Sequence, residues 1–192
     1  MGRTVCYAHS ITGNILMRFE ACSLAGVYRI IPEPRTDARG WFARTYCAKE
    51  FAERGLQSGF VQCSTSFSRQ RGTLRGVHFQ LPPNQEVKLV RCVRGSVYDV
   101  VVDLRRDSSS YLKWLAVELT ADSLEAIYIP KGCGHGFQAL TDNTEMFYQM
   151  DAYFSPESSG GIRWDDPALG IRWPIPCPIL SERDATFADF QP

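Results

Sequence analysis

Short, evenly spaced β-strands dominate the middle of the chain and restrict what it can fold into. Residues 87–93 alternate between apolar and polar side chains, and residues 97–104 are almost continuously apolar. Because Arg94-Gly95-Ser96 between them has the composition of a turn, we predict a β-hairpin here. Further strands are predicted at residues 27–31, 113–119, 125–129, 136–140 and 145–151.

Helices are scarce in the same pattern. Residues 48–55 place Phe51 and Ala52 between charged side chains and end at Gly55, which predicts one short helix. Many short strands and few helices are typical of a sandwich or barrel such as a jelly roll. We therefore expect an all-β fold with short peripheral helices. Residues 156–192, rich in Pro, Trp and Asp, are expected to form ordered loops around the barrel.

The length of 192 residues suits one domain with one hydrophobic core. Residues 1–16 lack a regular pattern, and we expect them to be a disordered N-terminal extension to a folded domain at residues 17–192. The chain has no apolar run of about 18 residues. It also has no basic segment followed by an apolar stretch at its start. We expect neither a membrane span nor a secretory signal.

The charge balance and the cysteine content limit which kinds of partner and which cellular compartment we expect. The 21 basic side chains balance the 21 acidic ones, which argues against a broad surface for nucleic acid. Seven cysteines are scattered without a CxxC pair, as expected for a reduced cytoplasmic protein. We expect a cytoplasmic protein without a nucleic-acid or membrane partner, in which a local group of Arg and Lys could still bind a small anion.

Histidine is scarce, and two of the three histidines have a context that suggests chemistry. His9 lies in the unpatterned leader and is given no role, whereas His78 and His135 each lie beside glycines near predicted strand edges. An isolated histidine in such a place is explained by capping a strand and satisfying backbone groups. Two of them, both flanked by glycine and basic residues, favour a chemical role instead.

The residues around His78 predict how the first of these sites is built. Side chains of equal parity share one face of a strand, so His78 and Gln80 are expected to point the same way. Arg75 joins them only if Gly76 bends the chain. Lys88 begins the next predicted strand.

A metal site is the alternative that these histidines leave open. The Pro130-x-Gly-x-x-His spacing resembles the second motif of the cupin superfamily, whose barrels often hold a metal through His-x-His and a Glu. Gln80 stands where the second histidine of the first motif would be, and an amide oxygen is a poor ligand for Zn²⁺ or Fe²⁺. The donors that remain, His78, Glu86 and His135, form a weak set, so we expect no metal and no cofactor.

The stretch at residues 72–80 resembles the signature of the dTDP-4-dehydrorhamnose 3,5-epimerase family. Further similar stretches follow in the family's order, at residues 88–90, 95–100, 102–105, 129–137, 164–167 and 180–184. The resemblance runs from about Met17 to the C-terminus. It implies a cupin jelly-roll barrel, usually a homodimer, that acts without a metal.

The resemblance also implies a role for particular residues. His78 matches the base, and Asp184 matches the aspartate that orients it. Lys88 matches a lysine near the keto oxygen, and Tyr148 matches the proton donor. Without the resemblance, Asp184 would be interpreted as a cap and Lys88 as an exposed strand residue, and for Tyr148 core packing with the hydroxyl at the rim would be as good an interpretation as a proton donor.

Substrate contacts are implied for a second group of residues. The aromatic ring at position 154 matches one that stacks on the nucleotide base, and the arginines suit a diphosphate because of their planar fork. The family often has Tyr at position 154 and Lys at position 183 instead of the residues found here. The predicted substrate-binding residues are Arg39, Arg75, Gln80, His135, Phe154 and Arg183.

The expected function is therefore that of an isomerase. The predicted substrate is a nucleoside diphosphate 4-keto-6-deoxyhexose of the dTDP-4-dehydro-6-deoxyglucose type, inverted at C3, at C5 or at both carbons during deoxysugar biosynthesis. Two alternatives stay open at this point. One is a metal-dependent cupin enzyme, either an oxygenase or a sugar isomerase, and the other is a non-catalytic cupin that binds sugar nucleotides.

Overall fold

The structure, a computed structural model, describes residues 16–191. Except for Leu16, the predicted N-terminal extension lies outside the described residues. The strands and helices, in chain order, are β1 Met17–Ala21, β2 Tyr28–Pro32, β3 Arg35–Asp37, β4 Gly40–Phe42, α1 Ala48–Ala52, β5 Gln62–Ser68, β6 Leu74–Gln80, β7 Lys88–Arg94, β8 Ser96–Asp103, β9 Trp114–Thr120, β10 Ala126–Ile129, β11 Cys133–Ala139, β12 Thr144–Met150, a 3₁₀ turn Pro156–Ser158, β13 Ser159–Gly161 and α2 Glu182–Ala185.

Two antiparallel sheets form the body of the described chain. One has the strand order β1-β2-β10-β7-β12-β5 and the other the order β13-β6-β11-β8-β9, while β3 and β4 pair only with each other. Apolar side chains from both sheets fill the space between them, among them Val90, Val101, Ile127, Phe137 and Met146. The expectation of an all-β fold with short peripheral helices is confirmed.

Alternation along β7 decides which of its side chains enter the space between the sheets. Val90 and Cys92 belong to the core between the sheets, whereas Leu89 packs on the outer side in a cluster that contains Phe51 of α1. Because side chains of equal parity share a face, Lys88 lies on the same side as Val90. A lysine at the start of an inward-facing row is thus placed at one end of the barrel interior.

The predicted hairpin is wrong, although its two strands are correct. β7 pairs with β10 and β12, and β8 pairs with β9 and β11, so the two strands belong to different sheets. Gly95, with a φ of +75°, turns the chain from one sheet to the other. The nearly continuous apolar pattern of β8 has its reason here: Val101 faces the core between the sheets, and Val100 packs on the opposite face under the C-terminal segment.

Segments outside the central strands differ more from prediction. The predicted helix at residues 48–55 is observed at Ala48–Ala52. The C-terminal segment wraps the second sheet as expected, with Ile162 and Leu169 buried against it, but it also contains the unpredicted helix α2. Strand β5 was not predicted because its sequence, Gln-Cys-Ser-Thr-Ser-Phe-Ser, is mostly polar. Among the described residues there is no helix with the length and apolarity needed to cross a membrane.

Candidate active site

A bulge in β6 brings Arg75 and His78 to the same side of the sheet. His135 of β11 pairs with His78, and Phe137 pairs with Arg75, so three steps on β6 oppose two steps on β11. Such a bulge changes the parity of the strand, and residues three apart then share a face. Gly76, with a φ of +127°, lies inside it. The condition set from the sequence, a bend at Gly76, is met.

Two glycines allow β6 and β11 to approach each other at this bulge. A Cβ atom added to Gly76 would lie 2.5 Å from the Cα of Gly136 and 2.8 Å from the carbonyl oxygen of His135. Both contacts are with backbone, which cannot swing aside. The glycines that flank the two histidines in the sequence are therefore required by a close approach of the main chains.

His78 forms a short hydrogen bond with Asp184. The distance from His78 Nε2 to Asp184 Oδ1 is 2.7 Å, and the backbone N–H of Gly76 donates to Asp184 Oδ2 at 3.3 Å. Burial alone would raise the pKa of Asp184, but the hydrogen bonds from His78 and Gly76 outweigh it and hold this pKa below its usual value. An ionised Asp184 only accepts, so the proton lies on Nε2 of His78, and Nδ1 is left to take up a proton.

Helix α2 supplies Asp184 to the site. Ser181 is the N-cap of the helix, and its hydroxyl accepts a hydrogen bond from the backbone N–H of Asp184 at 3.1 Å. Asp184 is 4% exposed, whereas the side chain of His78 is 37% exposed. A buried carboxylate therefore holds a histidine ring that is still open to a ligand.

His135 has a carboxylate partner of its own. Its Nε2 lies 2.8 Å from Oδ2 of Asp99, and both side chains are buried. Asp99 comes from the apolar strand β8 and shares the inward parity of Val97 and Val101. An aspartate among valines on the inward face was a signal that pattern reasoning could have used, but it was not identified as a site residue from the sequence.

Tyr148 and Lys88 reach the same region from the first sheet. The hydroxyl of Tyr148 lies 2.9 Å from Ser66 Oγ, and its ring lies edge-on to that of His135 with 6.3 Å between centroids. Burial raises the pKa of Tyr148 above its usual value, although the hydrogen bond to Ser66 acts in the opposite direction. The ammonium of Lys88 lies 3.0 Å from Glu86 Oε1.

These side chains surround one cavity of about 510 Å³, within the size range of small-molecule sites. The two histidine rings that are each paired with an aspartate, those of His78 and His135, line this cavity together with Tyr148. The predicted site residues that line the cavity are Arg75, His78, Lys88, His135, Tyr148, Arg183 and Asp184.

Arg39, Gln80 and Phe154 do not line this cavity. The guanidinium of Arg39 is bound to Asp37 at 2.6 Å on the turn between β3 and β4, and its side chain is 69% exposed. The amide oxygen of Gln80 accepts from the N–H of Ser155 at 2.7 Å, and its amide nitrogen donates to the carbonyl of residue 84. Phe154 is 58% exposed at the surface. Their roles in substrate binding remain predictions.

An aromatic side chain near the C-terminus covers part of the His78 ring. Phe187 lies edge-on to it with 6.2 Å between ring centroids, and the guanidinium of Arg183 lies over the ring of Phe187, 5.6 Å from its centroid. Gly161 of β13 makes room for this ring, because a Cβ there would lie 2.2 Å from it. Nothing in the sequence pattern pointed to Phe187, since its contact depends on how the C-terminal segment folds back.

The metal alternative receives no support from the arrangement of donors. His78 and His135 each direct Nε2 at an aspartate, and Glu86 pairs with Lys88. In residues 16–191, no three His, Cys, Asp or Glu side chains are grouped so that they could hold a metal ion.

Comparison with known proteins identifies the family. A sequence profile of dTDP-4-dehydrorhamnose 3,5-epimerases matches residues 21–191. The chain belongs to this family. The dTDP-4-dehydrorhamnose 3,5-epimerase of Sinorhizobium fredii is 42% identical over 88% of each chain, and the dTDP-4-dehydrorhamnose 3-epimerase of Streptomyces niveus is 41% identical over 88% of this chain and 81% of that one.

The fold of a solved relative agrees with that of this epimerase-family chain. The crystal structure of dTDP-4-dehydrorhamnose 3,5-epimerase from Bacillus anthracis, with TDP and PPi bound, superimposes with a TM-score of 0.89 at 35% identity, covering 91% of this chain and all of that one. The expected family, the cupin jelly-roll barrel and the isomerase class are confirmed.

Proposed function

We propose that this protein inverts C3, C5 or both in a nucleoside diphosphate 4-keto-6-deoxyhexose of the dTDP-4-dehydro-6-deoxyglucose type. The observation that carries the proposal is the meeting of an Asp-supported histidine, His78, with the half-buried phenol of Tyr148 in one cavity of a member of this family. Binding of TDP and PPi by the Bacillus anthracis relative supports the choice of nucleotide.

Proton removal falls to His78. The 4-keto group acidifies the hydrogens on C3 and C5, and the free Nδ1 of His78 takes one of them as the C–H electron pair moves toward the ketone oxygen. Asp184 fixes the tautomer and stabilises the imidazolium that forms. General base catalysis of this kind contributes roughly 10²–10⁴-fold.

The negative charge that develops on the ketone oxygen needs a partner. Lys88 enters the cavity from the inward row of β7 and provides a fixed cation, and His135, held by Asp99, provides a second donor. Such groups stabilise an enolate most when they are already in position before the reaction. Arg75 and Arg183 line the same cavity and suit the diphosphate.

Inversion requires a proton from the other face of the sugar, and Tyr148 provides it. A phenol is protonated at neutral pH, and burial raises the pKa of Tyr148 further, so its hydroxyl carries the proton that the enolate carbon takes up. It approaches from the sheet opposite to that of His78. Two proton-transfer groups on opposite walls of one cavity are what a change of configuration needs.

The experiment follows deuterium uptake at C3 and C5 by NMR in D₂O, with dTDP- and CDP-linked 4-keto-6-deoxyglucose. We expect His78→Ala to lose both exchange and inversion, and Tyr148→Phe to exchange without inverting. Tyr98→Phe is the matched control, since Tyr98 packs with Trp173 on the far side of the second sheet. Full exchange by His78→Ala would end the assignment of the base.

The metal-dependent alternative predicts a different result with chelators. Extensive dialysis against EDTA should leave exchange and inversion unchanged if the side chains named above do the chemistry. Activity that is lost on dialysis and restored by a divalent cation would favour the alternative. Absence of exchange with every 4-keto sugar nucleotide would favour a protein that only binds its ligand.

We also propose that the enzyme is a homodimer in the cytoplasm. The β3–β4 hairpin carries Arg39 away from the cavity of its own chain and exposes Trp41 and Phe42, which are 60% and 58% exposed. Large exposed aromatic side chains mark contact surfaces, and Arg39 is then available to a second copy.

All cysteines among the described residues are unpaired, as a reducing compartment requires. Analytical ultracentrifugation tests the dimer, and a monomer at assay concentration would contradict it.

A further inference from the structure

The hydroxyl of Tyr148 is hydrogen-bonded to a residue that no motif indicated. Ser66 lies on β5, the edge strand of the first sheet, and its Oγ is 2.9 Å from Tyr148 Oη. In the register of β5 and β12, Tyr148 is opposite Ser64 and Met146 is opposite Ser66. Ser66 is thus a diagonal neighbour of Tyr148 on the same face of the sheet, which is within reach of a long side chain.

The two ends of this hydrogen bond have different surroundings. Tyr148 packs against the core between the sheets, with its ring against that of His135. Ser66 is half-buried, and its chain neighbours Thr65 and Phe67 are exposed on the edge strand. Ser66 is thus a half-buried hydroxyl on an edge strand, in contact with a phenol that packs against the core.

A proton donor has to be recharged after each turnover. If Tyr148 protonates the sugar carbon, as in the function proposed above, it becomes a phenolate in a site where burial raises its pKa. A phenolate of this kind takes up a proton readily but needs a path to one. The hydroxyl that its hydrogen bond reaches is that of Ser66, which is half-buried on the edge strand of the sheet.

We propose that Ser66 is a positioning residue for Tyr148 and relays a proton to it from solvent. The proposal rests on the function proposed above. In the first step, the Tyr148 O–H bond breaks as a C–H bond forms on the sugar, and its electron pair stays on the phenolate oxygen. In the second step, the Ser66 O–H bond breaks, the proton moves to Tyr148, and Ser66 takes a proton from water. The hydroxide left behind is neutralised by the proton that His78 releases, so the cycle closes without net change.

This role predicts a separation between exchange and inversion. His78 still removes the substrate hydrogen in Ser66→Ala, and the enolate is still reprotonated from the His78 face, so deuterium uptake continues. Delivery from Tyr148 slows, because its hydroxyl has lost its orientation and its proton source. We expect the ratio of exchange to inversion to rise about 3- to 10-fold, the effect of losing one neutral hydrogen bond.

Two further variants separate this role from a merely structural one. Ser66→Thr keeps the hydroxyl and is expected to restore the wild-type ratio. Ser64→Ala removes a serine opposite Tyr148 in register that makes no hydrogen bond to the phenol in the described structure, and it should leave the ratio unchanged. If Ser66→Ala does not fold, Ser66→Cys replaces it, and its weaker thiol donor is expected to raise the ratio less.

A Ser66→Ala protein with the wild-type ratio overturns the proposal, even if both rates fall together. A ratio raised equally by Ser66→Thr also overturns it, because the hydroxyl is then irrelevant. A wild-type protein that neither exchanges nor inverts refutes the function proposed above instead, and the relay falls with it.

Discussion

Replacing Asp184 by Asn tests the His78–Asp184 pair without changing its shape. The carboxylate accepts from two donors, His78 Nε2 and the backbone N–H of Gly76. An amide has one oxygen and one NH₂ group. Because Gly76 N–H cannot turn away, the asparagine oxygen faces Gly76 and its NH₂ faces His78. His78 must then accept at Nε2, which places its proton on Nδ1, the nitrogen that should act as the base.

The size of the effect follows from the bond that is lost. A hydrogen bond to a charged group contributes about 1.5–3 kcal/mol, which corresponds to a decrease in kcat of roughly 10- to 150-fold. The unfavourable tautomer adds to this decrease. The equivalent Asp-to-Asn change in Ser-His-Asp enzymes lowers kcat about 10⁴-fold with the geometry intact. We expect a loss of at least about 100-fold in both exchange and inversion, because both begin with proton removal.

The assay is deuterium exchange and inversion followed by NMR, with a thermal melt of each variant to confirm folding. Glu182→Gln is the matched control, since Glu182 is an exposed acid in the same helix. It should react at the wild-type rate. An Asp184→Asn protein that folds and retains kcat within about threefold of wild type would refute the proposed pairing, because the loss of one charged hydrogen bond exceeds that limit.

Two further predictions concern the C-terminal cover and a buried carboxylate. Gly161→Ala should displace Phe187 from His78 and lower kcat by up to about 100-fold in steady-state assays, while Gly59→Ala, with open space around it, should not. Burial raises the pKa of Asp103, but hydrogen bonds from Arg105, Ser108 and Ser110 outweigh it and hold this pKa far below its usual value. The stability from Asp103 is therefore present at neutral pH and lost as the pH falls below about 4. Asp103→Asn should lower the free energy of unfolding by about 1–3 kcal/mol in urea at pH 7 and by less at pH 3; an equal loss at both would contradict this.

The sequence was informative about strands whose pattern reflects two-sided burial. β8 was recognised because nearly all its side chains are apolar, and β7 because it alternates. The pairing of β7 was not predictable, because alternation shows that one face of a strand is buried and does not show which strands lie beside it. The segment at Gly95 has the composition of a hairpin turn, yet its glycine serves a change of sheet: its φ of +75° strains any other residue, and a Cβ would lie 2.4 Å from Thr141 Oγ1.

The site was predictable where a motif names residues and failed where distant segments meet. The resemblance pointed to His78, Lys88, Tyr148 and Asp184, and the structure brings them to one cavity. Ser66 was missed because β5 is polar, and a polar edge strand has no hydrophobic signal. Phe187 was missed because its contact with His78 arises across about a hundred residues of chain, through tertiary folding alone.

The contact of the Gly76 and Gly136 backbones has a consequence for anyone who wants to change what this enzyme accepts. The spacing between its two imidazoles is set by main chain against main chain, so it cannot be tuned by enlarging or trimming a neighbouring side chain. Directed evolution of new substrate preferences should therefore begin at Ile179 and Leu180, whose side chains line the cavity outside β6 and β11. Libraries built on β6 and β11 would mainly return proteins that no longer fold.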